Sequence, residues 1–142
     1  MDSEDKDFLD FADAAQVHGL QYIIIGGFAL YLNGIKRNTE DVYIWLKPTN
    51  ENKIILLNVF TELGYTLEDL NDINKHNFSH PLVFSAFGHM DFLTVLHDKL
   101  DFDTCFQNSR THVLTHCTIC NYLHINDLKK VKNTVKPRVR LS

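Results

Sequence analysis

The chain has 142 residues, 44% of them hydrophobic and 23% charged, the make-up of one ordinary soluble domain with one core. The formal net charge is −4, and no apolar run approaches the ~20 residues that a membrane span requires. Three cysteines are too few and too odd in number for a disulfide framework, and the acidic start Met1-Asp2-Ser3-Glu4-Asp5 is the opposite of a signal peptide; both predict a cytoplasmic setting.

In chain order, Phe8, Phe11, Ala12 and Ala15 recur at helical spacing and predict an amphipathic helix over 4–18, with Ser3 as N-cap and Gly19 as the stop. Residues 21–25 are short, continuous and rich in isoleucine, so they read as a buried strand. Phe28 to Asn33 reads as a short helix stopped at Gly34. Residues 40–46 alternate: Val42, Ile44 and Leu46 point one way, Asp41, Tyr43 and Trp45 the other, and Pro48 ends the strand. Thr49 or Asn50 then caps a helix with the stripe Leu56, Leu57, Phe60 and Leu63, ending at Gly64.

Residues 66–80 are polar and without period, a loop or short helix. Pro81 to Phe87, the turn residue Gly88, and His89 to Leu96 read as a β-hairpin. Lys99 to Gln107 is weakly helical, and residues 111–117 and 119–125 suggest a second strand pair. Asn126 is the expected cap of a final helix, with Asp127 in its first turn and Pro137 at its end. The order α-β-α-β-α-(β-β)-α-(β-β)-α predicts a single α/β domain over 1–142, one mixed sheet flanked by helices, with a basic tail over 129–142.

Residues 23–45 carry most of the functional signal. An apolar run stops at Gly26-Gly27, a short helical pattern follows, and Arg37-x-Thr39-x-Asp41 leads into the next strand. This arrangement resembles the start of a nucleotidyltransferase-fold domain of the small bacterial type, related to the abortive-infection toxin nucleotidyltransferases. The resemblance runs over residues 20–96, with a weaker echo at His124-Ile125-Asn126-Asp127-Leu128. It implies a nucleotidyltransferase-like mixed sheet. It also implies a site that binds an NTP with Mg²⁺ and, if active, transfers a nucleoside monophosphate to a hydroxyl of a protein, RNA or small-molecule acceptor.

The chemistry of that transfer requires positive charge near the phosphates and an aligned attacking oxygen, which carboxylates on adjacent strands supply by holding Mg²⁺. By resemblance Asp41 holds metal, and Asp91 holds metal and orients or deprotonates the acceptor hydroxyl. Gly26 and Gly27 cradle phosphate, and Arg37 and Thr39 match the nucleotide-binding motif. Relatives carry Asp-x-Asp on this strand; here the second place is Tyr43, a neutral phenol and a poor Mg²⁺ ligand. Glu40 lies on the opposite face of a regular strand and does not replace it. Phe28 stands where many relatives have Ser. The metal is therefore expected to be held weakly. The alternative is a catalytically silent relative, a binding or regulatory protein within a toxin–antitoxin-like pair.

Three further features invite weaker readings. All 18 acidic residues lie in 1–127, and six of the 14 basic residues, Lys129, Lys130, Lys132, Lys136, Arg138 and Arg140, follow them. Such a tail either touches phosphate-rich partners such as RNA or is a solvated end. His112-x3-His116-Cys117-x2-Cys120 contains zinc-binding residue types, but no second pair follows at knuckle spacing. His76-x3-His80 reads as a surface pair. Oligomeric state leaves no mark in the sequence.

Overall fold

A computed structural model describes residues 5–35, 41–96, 100–114 and 117–130, and the backbone of 139–140. The first helix, α1 (Lys6–His18), is capped by Asp5, whose side chain accepts from the Phe8 N–H, rather than by Ser3, which lies outside the described residues. Its end is as expected: Gly19 adopts φ +77° and closes the last turn onto Ala15 and Gln16. Strand β1 (Tyr22–Ile25) is buried throughout and runs directly into α2 (Gly26–Leu32), which starts earlier than Phe28 because both glycines join the helix.

Strand β2 (Val42–Leu46) follows, then α3 (Asn50–Glu62), capped by the Thr49 hydroxyl. The polar stretch contains α4 (Asn71–Lys75). The predicted hairpin is β3 (Val83–Ala86) and β4 (Met90–Leu93), joined through Phe87, Gly88 and His89. After α5 (Phe102–Asn108) come β5 (Arg110–Val113) and β6 (Ile119–Tyr122), an antiparallel pair. The last helix is a correction: α6 (Ile125–Leu128) has four residues, and His124, not Asn126, caps it by accepting from the Asn126 N–H. Pro137 lies outside the described residues. Within the tail the described residues form a two-residue strand, β7 (Val139–Arg140).

One mixed sheet results, in the order β5-β6-β1-β2-β4-β3-β7. β1 and β2 are antiparallel, β2 and β4 parallel, and β1 and β6 parallel. One face carries Tyr22, Ile24, Ile44, Phe84 and Phe92, on which α1 and α3 lie: the Phe11 ring is 5.3 Å from Tyr22 and 5.4 Å from Phe92, and Phe60 is 5.4 Å from Phe92. The other face carries Tyr43 and Trp45. Trp45 is only 2% exposed because Phe102 of α5 meets it edge-on at 5.3 Å. β2 is thus covered on both faces at that point.

Among the described residues, no helix is long and apolar enough to cross a membrane.

Candidate functional site

Strand pairing brings four residues into one lateral row. Tyr43 is the register partner of Ile25 on β1 and of Asp91 on β4, and Asp91 is the partner of Ser85 on β3. Directly opposed residues share a face, so Ile25, Tyr43, Asp91 and Ser85 project to the same side. Asp41 stands one residue before β2 and is exposed. The β2 ladders begin one residue after it, at Val42. The Val42 N–H donates to the His89 carbonyl at 3.0 Å, fastening the entry of β2 to the strand that carries Asp91.

Asp91 is 7% exposed, among apolar neighbours on β4. A buried carboxylate needs donors to offset lost hydration. Ser85 supplies one: its hydroxyl donates to Asp91 Oδ1 at 2.5 Å. Ser85 carries no motif in the sequence, and only the β3–β4 register reveals its role.

Gly26 has φ +73°, a conformation that favours glycine. It is also crowded. A Cβ at Gly26 would lie 3.0 Å from Tyr43 Cδ2, with Tyr43 Cγ at 3.5 Å and Tyr43 Cβ at 3.6 Å. The phenol ring therefore lies directly against the first glycine of the turn. Gly27 is the second residue of α2. Arg37 and Thr39, the remaining residues assigned to nucleotide binding, lie outside the described residues.

The β3–β4 connection is held from outside. Phe87 has φ +58°, unusual for a bulky residue, and Gly88 has φ +79°. The Phe87 N–H donates to the Tyr65 hydroxyl at 3.1 Å, and the two rings lie 5.2 Å apart. His89 faces two acceptors, the Phe87 carbonyl at 2.8 Å from Nδ1 and Asp5 Oδ1 at 3.1 Å from Nε2. A neutral imidazole can donate to only one of them. Burial alone would raise the Asp5 carboxyl, but the Phe8 N–H bond and the His89 contact outweigh it and hold Asp5 below its usual 3.8.

Asp5, Asp7 and His89 form a group with ligand atoms within 4.8 Å of one another. His89 is 84 residues from Asp5 in sequence, so no spacing rule could find the group. Asp5 is already engaged there as the cap of α1. The zinc reading of the β5–β6 hairpin finds no such convergence among the described residues: Cys117, φ +62°, is exposed in the turn, and Cys120 is buried, its thiol pushed up to about 12 by desolvation. His116 lies outside the described residues.

Comparison of the chain with protein-family models, curated proteins and solved structures finds no match.

Proposed function

We propose that the chain is a nucleotidyltransferase-like protein whose transfer site is closed by its own Tyr43, and that it acts as a binding or regulatory protein in the cytoplasm. One observation carries this reading: the Tyr43 ring lies against Gly26, at the turn where a triphosphate would have to approach the backbone. Tyr43 acts twice. It removes the carboxylate expected at that place, and its ring takes up the adjoining space. Asp91, with Ser85 donating to it, has a structural reason for its burial that requires no metal. The cytoplasmic setting fits three free thiols at Cys105, Cys117 and Cys120.

A second reading keeps the transfer of a nucleoside monophosphate from an NTP, with one weakly held Mg²⁺ at Asp41 and Asp91. It draws on the parallel pairing of β2, which Asp41 directly precedes, with β4, which carries Asp91. Calorimetry with Mg²⁺ and a nonhydrolysable NTP separates the two. The first reading expects no Mg²⁺-dependent binding by the wild type and measurable binding once the ring is removed in Tyr43→Ala. Tight binding by the wild type, unchanged in Tyr43→Ala, would favour the second.

A further inference from the structure

The two edges of the sheet differ. At one, β7 pairs with β3; at the other, nothing among the described residues pairs with the outer side of β5. The hydrogen-bond phase of β5 is fixed by its hairpin. The Leu114 N–H donates to the Thr118 carbonyl at 2.8 Å, so Leu114, His112 and Arg110 turn their backbone groups inward to β6. Thr111 and Val113 therefore turn theirs outward. Natural edge strands are blunted by shortness, charged side chains, Pro, a bulge or a covering segment; β5, Arg110-Thr111-His112-Val113, is short and carries Arg110, but it holds no Pro and no bulge, so its outward backbone groups can still accept one short strand.

Its side chains are sorted by face. Val113 and Ile119 are register partners, 62% and 51% exposed, and make an apolar pair on one side. Arg110 and His112 lie on the other. The Arg110 guanidinium is 3.3 Å from His124 Nε2, and among the described residues no carboxylate pairs with it. The edge thus offers backbone donors and acceptors, one face with the apolar pair and one face with the Arg110 guanidinium, and no acid on the strand.

We propose that β5 is a docking edge for an extended segment of a partner protein. The segment adds as a further strand, with carboxylates on the Arg110 side alternating with β-branched apolar residues on the Val113 side. Charge complementarity selects this occupant over a second copy: self-pairing of β5 would set two copies of Arg110 on one face with no carboxylate from the strand to offset them. The inference rests on the reading of the chain as a binding protein and supplies its binding surface.

The test uses the full chain and two labelled eight-residue peptides, one alternating valine with glutamate and one alternating valine with lysine. The glutamate peptide is expected to bind and to shift the Thr111 and Val113 amide resonances. Thr111→Pro removes an outward N–H without touching the ladder to β6, and should weaken binding by about tenfold or more. Arg110→Glu, a surface change that spares the backbone, should reverse the preference between the peptides. Equal binding of both peptides, binding unaffected by Thr111→Pro, no binding by the wild type, or a dimer dissolved by Thr111→Pro would each overturn the proposal. NTP binding is measured on the same samples. Peptide binding accompanied by tight Mg²⁺-dependent NTP binding would sink the silent reading and leave the docking edge; absence of both would do the reverse.

Discussion

The two faces of the sheet solve burial differently. On the α1 and α3 side, Phe11, Phe60, Phe84 and Phe92 meet mostly edge to face, with Phe84 and Phe92 stacked at 5.0 Å; shape and area do the stabilising. On the other side the row Ile25-Tyr43-Asp91-Ser85 mixes apolar and polar groups: Asp91 takes a hydrogen bond from Ser85, and the Tyr43 ring lies against Gly26. The first face tolerates exchange among apolar residues of similar volume. The second depends on single contacts, so small changes there have specific effects.

Removing a member of the aromatic face should have the largest effect. Phe60 is fully buried against Tyr65, Phe84, Phe87 and Phe92. Phe60→Ala is expected to cost ~3–5 kcal/mol, read by urea unfolding, whereas Phe60→Leu should cost clearly less. Equal costs would mean that ring geometry, not volume, holds this face. Gly26→Ala comes next. The positive φ and the 3.0 Å approach to Tyr43 both oppose it, for a cost of roughly 1–3 kcal/mol. In a Tyr43→Ala background the steric part should vanish and the φ part remain. A double-mutant cycle with no coupling would show that the ring does not press on the turn.

Ser85→Ala removes a donor from buried Asp91 and should cost about 1–3 kcal/mol. The paired change Ser85→Ala with Asp91→Leu, apolar on both sides, should recover part of it; further loss would show that the row needs its polar pair. The smallest effect is that of Asp5, whose replacement by Ala removes the α1 cap at ~1 kcal/mol. Its folded carboxyl lies below 3.8, so its contribution is full above that pH and is lost as pH falls through the folded value. Wild type and Asp5→Ala should therefore converge in stability only on the acid side of pH 3.8. A constant gap down to acid unfolding would contradict the charged-cap account.

Local pattern carried much of this architecture. The alternation predicted for 40–46 holds over Val42–Leu46, with Tyr43 and Trp45 on one face, and Gly19 and Gly88 marked a helix end and a hairpin turn that both adopt positive φ. Tertiary effects lay beyond it. Trp45 looks half exposed until α5, more than fifty residues later, covers it. The pairing of β7 with β3 depends on a partner distant in sequence, which a basic run does not announce. At the site, the residue types were legible but their contacts were not. That Tyr43 meets Gly26 follows from the β1–β2 register, and that Ser85 serves Asp91 follows from the β3–β4 register. Neither register is written in a motif.

The role of Tyr43 is tested most directly by incubating wild type and Tyr43→Asp with Mg²⁺ and radiolabelled NTP and measuring transfer of label to protein or RNA. A closed site predicts no transfer by the wild type. For Tyr43→Asp it predicts tighter Mg²⁺ binding, and lower stability without metal because a third carboxylate joins Asp41 and Asp91. Robust transfer by the wild type that disappears in Tyr43→Asp would contradict the account and give Tyr43 a positive part in the chemistry.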